Sequence, residues 1–264
     1  RDADHHPMIE LFSPNKHSRM LVNETGAALS ELWFGETQIV GSPDKYSGVT
    51  LFPWPNRIVN GQWTYQTQDL QLEINDSARN AALHGLVFDK PFQAVSIRGN
   101  ACQLTLDLEE LAGYPFEVLL GVRFELMDDR LLIWQTVTNR CAKTMPFAIG
   151  IHPYFKADEN ALFGVAGKDL QLSTIQVDET IGPKCSKVEL RTALYDLQIS
   201  AHDTEFIHIF TNRYDEPGQL WFAIEPQSSP ADSLNNGIGL STLDQGESKT
   251  FKYEFSLQKR RRLQ

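Results

Sequence analysis

EVLLGVRFE at residues 117–125 and LLIWQTVT at residues 131–138 decide how this chain folds. Apolar and polar side chains alternate through both with a period of two, as a half-buried strand requires. The same alternation recurs at residues 62–65, 70–74, 92–98 and 102–108, and later at 146–151, 170–176, 188–194, 205–211, 220–224 and 249–257. Earlier, short apolar segments at 8–12, 18–22, 27–34 and 37–40 are broken by Ser13-Pro14-Asn15, residues 23–26 and Gly35-Glu36, which reads as hairpins. Helical periodicity is confined to residues 109–113 and 231–236. The expected fold is all-β: a large antiparallel sandwich with one sheet face used as a binding surface. A single domain over residues 1–264 is expected, with 1–6 and 259–264 as frayed tails.

Composition narrows the function. Hydrophobic residues make up 41% and charged residues 22% of the 264, the balance of an ordinary globular protein. No apolar run approaches the roughly 20 residues of a membrane helix, and RDADHHP at the start lacks a signal-peptide layout, so a cytoplasmic protein is expected. A net charge of −10 speaks against nucleic acid and other polyanions, and the basic run at 259–262 reads as a solvated tail. Cys102, Cys141 and Cys185 are widely spaced with no CxxC pair, which fits buried free thiols in a reducing compartment.

Chemistry concentrates in a few stretches. In LFPWPNRIVNG, residues 51–61, Pro53 and Pro55 each fix φ and lack an N–H, so the segment belongs neither in a helix interior nor in a central strand. A stiff extended segment carrying Trp54, Asn56 and Arg57 would hold a flat apolar face beside fixed donors, as sugars require. The alternative is a loop plugging the core, with Arg57 in a surface ion pair. In NAALHGLVFDK, residues 80–90, His84 precedes Gly85, where the missing side chain lets a ligand approach the backbone. In GIHPYF, residues 150–155, His152 ends an apolar strand before a proline and should face a cleft, unless it is a core histidine satisfied by backbone. Glu225 ends the apolar strand at 220–224; half-buried, its raised pKa would suit a general base, whereas capping a turn is the plain alternative. Asp196 interrupts the apolar pattern of LYDLQI and either hydrogen-bonds a ligand hydroxyl or marks a bend.

Taken together, FPWPNRI, ALHG, GIHPYF and AIEPQSSPADSLNNG followed by LSTLDQGES, in that order, resemble the aldose 1-epimerase (galactose mutarotase-like) family, and GAALSELWFGETQIV resembles its opening hairpin. The resemblance implies a β-supersandwich that interconverts the α and β anomers of a small aldose without metal or organic cofactor. It implies that Glu225 takes the proton of the anomeric C1 hydroxyl, that His152 protonates the ring oxygen with help from His84, and that Arg57 holds the sugar. A carboxylate and an imidazolium near pH 6 to 7 suit that exchange.

Two departures bear on the substrate. LVFDK after His84-Gly85 lacks the Phe-Ala-Arg continuation associated with hexose-6-phosphate mutarotases, which favours a free hexose, although Arg79 and Lys90 flank the site and could meet a phosphate. Asp196 fits the family's sugar-binding aspartate poorly, since its pattern ends in Ile199, and Asp203 competes with it. The rival readings are a noncatalytic carbohydrate-binding sandwich, a metal hydrolase using His84, His152 and Glu225, and a glycosidase pairing Asp196 with Glu225. A monomer or a homodimer is expected.

Overall fold

Two antiparallel sheets pack across one apolar core in the computed structural model, which describes residues 8–172, 176–213 and 220–260. The alternation that announced strands sets the packing. In the strand Val118–Leu126, residues Val118, Leu120, Val122 and Phe124 are buried while Arg123 is exposed. This strand lies in a nine-stranded sheet ordered Gln93–Arg98, Ala101–Leu108, Val118–Leu126, Arg130–Asn139, Ser248–Leu257, Asp196–Ala201, Lys187–Arg191, Leu162–Val165 and Lys168–Gln171. Phe155, Phe222 and Phe255 are fully buried between the sheets, and each contributes about 1.5–3 kcal/mol by leaving water. A buried polar bridge ties the layers: Gln135 Nε2 donates to the Gly150 carbonyl at 3.1 Å, and the Tyr253 hydroxyl donates to Gln135 Oε1 at 2.9 Å.

The second, ten-stranded sheet carries the site. The strands Met8–Phe12, Ser18–Asn23, Ala28–Phe34 and Thr37–Val40 form a meander that joins Tyr154–Ala157. That strand and Gly150–Ile151 pair with one flank of Leu220–Gln227 in a shared register, Tyr154 opposite Ala223 and Gly150 opposite Gln227. Pro153 has no N–H to give the ladder. Phe206–Arg213 pairs on the other flank, with Asp178–Ile181 beyond it.

Side chains alternate along a strand, and directly opposed residues share a face. The registers therefore place Thr180, His208 and Glu225 in one row across three strands, with His152 in the break between Gly150–Ile151 and Tyr154–Ala157 continuing the row, and Asp178, Phe210, Ala223 and Tyr154 in the next. The opposite face, with Ile207, Ile209, Phe222 and Ile224, enters the core. All eight residues of Leu220–Gln227 are buried, because one face meets the core and the other a cleft.

Most expected strands are present, within a residue or two. The helix expected at 231–236 is Ser233–Asn236, but 109–113 forms a bridge between Leu111 and Tyr114 instead. Of the strand expected at 170–176, residues 173–175 lie outside the described residues, as do 1–6 and 261–264 of the expected tails and basic run. Cys102, Cys141 and Cys185 are all buried and free. Among the described residues no helix is long and apolar enough to cross a membrane.

Candidate active site

The row on the ten-stranded sheet opens into a small cleft of about 140 Å³ lined by Asn56, Arg57, His84, His152, Asp178 and Glu225 among others. A larger hollow of about 560 Å³ lies by the hairpin of Gln62–Tyr65 and Gln68–Gln71. It gathers no histidine, so chemistry and not size selects the smaller cleft.

Glu225 is 1% exposed, and its Oε1 has no hydrogen-bond partner within the protein. Burial above all raises its pKa from 4.5 to about 7, helped by the nearby charges of Asp178 and Asp44 and opposed by His208 and Arg57. His152 Nε2 stands 3.4 Å from Oε1. Burial, and then the charge of His208, lowers His152 to about 3, so its ring is neutral. This corrects the expectation of an imidazolium there near pH 6 to 7: the apolar floor and Tyr154, whose ring centre is 4.9 Å away, leave the charge poorly solvated. His84 is also held well below its ordinary value, chiefly by burial.

A second ladder delivers His84 and Arg57. Arg57–Val59 pairs with Ala81–Leu83, and the exchange continues one residue further. The His84 N–H donates to the Asn56 carbonyl at 2.8 Å, and the Asn56 N–H donates to His84 Nδ1 at 3.2 Å. A neutral ring whose Nδ1 accepts must carry its proton on Nε2. Gly85 then bends the chain against Phe52 with φ +79°; a Cβ there would sit 2.1 Å from the Phe52 carbonyl oxygen. Arg57 Nε donates to Asp76 Oδ2 at 2.7 Å, which holds that carboxyl below its usual range.

Arg57, Asn56, His84, His152 and Glu225 thus converge, but two expected residues do not. Trp54 is 1% exposed, with its indole N–H donating to the Ala82 carbonyl at 3.1 Å. The segment is not extended throughout: Asn56 has φ +57°, so the chain turns there, sending Trp54 into the core and Asn56 to the cleft. Asp196 begins a strand of the other sheet, paired with Arg191, and lies outside the cleft; its competitor Asp203 accepts the Lys252 N–H at 3.0 Å. The aspartates lining the cleft are Asp44 and, beside His208, Asp178. The strand of Asp178, DETI, has no apolar alternation to reveal it, whereas His208, between Ile207 and Ile209 in FIHIF, carried a legible signal of a histidine facing away from the core. Tyr46 was missed as well; its ring meets His84 edge-on at 4.9 Å.

His84, His152 and Glu225 offer ligand atoms within 4.8 Å of one another, a spacing a divalent cation can also bridge.

Solved structures share this sandwich. A candidate aldose 1-epimerase from Escherichia coli K12 superposes with a TM-score of 0.81 at 20% identity, covering 96% of this chain and 99% of that one. A galactose mutarotase-like protein from Lactobacillus casei does so with a TM-score of 0.76 at 19% identity, covering 96% and 100%. The fold is therefore the galactose mutarotase-like supersandwich. The uncharacterized protein YihR of Escherichia coli (strain K12) is 27% identical over 279 residues, 90% of this chain and 89% of its own length. Residues 8–183 match the model of the aldose 1-epimerase family, and the chain belongs to that family, a family of isomerases acting on small sugars. The matched span includes Arg57, His84, His152 and Asp178, while His208 and Glu225 lie beyond it.

Proposed function

We propose that this protein is a mutarotase that interconverts the α and β anomers of a free hexose such as galactose or glucose. The observation that carries the reading is the buried Glu225 carboxyl, one oxygen unpartnered and 3.4 Å from an imidazole nitrogen inside a cleft. Ring opening of a hemiacetal needs a base at the C1 hydroxyl and an acid at the ring oxygen.

Glu225 and His152 share one proton below about pH 7, and burial leaves it on Glu225. Its passage across the 3.4 Å contact creates the working pair of carboxylate and imidazolium. Glu225 Oε1 then accepts the C1 hydroxyl proton, the freed electron pair forms the C1 carbonyl, and the C1–O5 bond breaks. His152 delivers its proton to O5, to which the His84 Nε2–H also donates. Rotation about C1–C2 and reversal of these steps give the other anomer. Each proton transfer contributes about 10²- to 10⁴-fold. Arg57, Asn56 and Asp178 hold hydroxyl groups.

A free sugar is favoured over a phosphate because the guanidinium of Arg57 is engaged by Asp76, which Arg79 also approaches at 3.7 Å. Asp44 and Asp178 add negative charge to the cleft wall. Polarimetry of freshly dissolved α-galactose, α-glucose and glucose 6-phosphate tests the reading: the free sugars should relax faster in proportion to protein. Preference for the phosphate by orders of magnitude would overturn the substrate class.

A further inference from the structure

We infer that His208 is a positioning residue of this site: a fixed cation, clamped by Asp178 and Thr180, that keeps the buried base Glu225 ionisable and turns one of its oxygens away from the sugar. The inference deepens the proposed acid–base reading and rests on it. His208 is 6% exposed and stands directly opposite Glu225 in the ladder. Its Nε2 lies 3.0 Å from Asp178 Oδ1 and 3.9 Å from Glu225 Oε2, and its Nδ1 lies 2.9 Å from the Thr180 hydroxyl. A ring so placed has a carboxylate on each side of one nitrogen and a hydroxyl able to accept from the other. That is the setting of an imidazolium. With Oε2 facing His208, Oε1 is the oxygen left to face His152 and a sugar hydroxyl.

The charges around it differ in sign and distance. Glu225 and Asp178 favour the imidazolium; Arg57, from the facing strand, opposes it, and so does burial, yet the net shift is upward. His84 and His152 meet the reverse balance, with burial and the His208 charge both acting against protonation. Asp44 and Asp178 press Glu225 toward its neutral form, while His208 and Arg57 press the other way. Of the three histidines in the cleft, His208 alone holds its proton more tightly than a free imidazole does. An opposite charge within about 4–6 Å displaces a carboxylate by about 1–3 pH units, so removing His208 should move the Glu225 titration upward.

The test compares wild type with His208→Gln, which keeps a polar side chain and removes the cation. Infrared difference titration of the Glu225 carboxyl band, assigned by its loss in Glu225→Gln, should place its midpoint at least one pH unit higher in His208→Gln. The limb of kcat/KM near pH 7 should move upward with it, with KM changed by less than about threefold. An unmoved midpoint in the folded variant overturns the inference. Because the infrared readout needs no turnover, it separates failure of this inference from failure of the mutarotase reading, which absent wild-type activity would mark. If His208→Gln does not fold, histidine-labelled wild type is titrated by NMR instead. His208 should then titrate above 6.5, with His84 and His152 neutral, and Glu225→Gln should lower the His208 midpoint. A His208 that is neutral at pH 6.5, or indifferent to Glu225→Gln, overturns the inference equally.

Discussion

Replacing Glu225 with Gln should abolish turnover and, above neutral pH, stabilise the protein. In the folded chain this carboxyl titrates at about 7 against 4.5 for the free side chain. The folded state therefore binds the proton more tightly than the unfolded one. The resulting stability is complete below about pH 4.5 and is lost as pH rises through about 7. A gap of about 2.5 pH units at 1.36 kcal/mol each amounts to about 3 kcal/mol at pH 8. Gln has the same shape and no charge, so the variant escapes this loss. Urea denaturation at pH 5 and pH 8 measures the difference: near zero at pH 5, rising to about 3 kcal/mol in favour of the variant at pH 8. A gap that does not change with pH, or a variant less stable at pH 8, would refute the argument that a charge is buried at a cost on this row of the sheet.

Other outcomes follow from the cleft's geometry. His152→Asn should lower kcat at least a hundredfold; a loss of under about tenfold would remove His152 from the acid role. Asp178→Asn should raise KM about tenfold or more, since a charge-assisted hydrogen bond contributes about 1.5–3 kcal/mol, whereas Asp196→Asn, in the other sheet, should leave KM unchanged. An effect at Asp196 equal to that at Asp178 would contradict the placement of the sugar. Anomerisation should proceed at full rate in excess EDTA, and chelator-sensitive activity restored by a divalent cation would show that His84, His152 and Glu225 work around a metal.

The strands were legible because alternation is a property of the chain alone: in residues 117–125 and 131–138 every second side chain, from Val118 to Phe124 and from Leu131 to Val137, found the core, while Leu119, Leu132 and Trp134 stayed half-buried on the other face. His84, His152 and Glu225 were legible because each stands beside a proline or a glycine, and Arg57 because it follows the stiff Pro53–Pro55 segment, where a polar side chain has no core to enter. Trp54 misled, since sequence cannot show that Asn56 takes a left-handed turn and sends the indole inward. Asp178 was hidden because its strand is stabilised by pairing with Phe206–Arg213 and not by its own apolar residues. The protonation of His152 was out of reach as well, because burial and a neighbouring cation are properties of the assembled cleft.

Exchange NMR on equilibrated galactose and glucose tests the central claim most directly, since it reads the interconversion of anomers with no coupled reaction. The account predicts cross-peaks between α and β signals that grow with wild-type protein and vanish with Glu225→Gln. Exchange no faster than in buffer for every free hexose tried, or exchange that survives in Glu225→Gln, would contradict it.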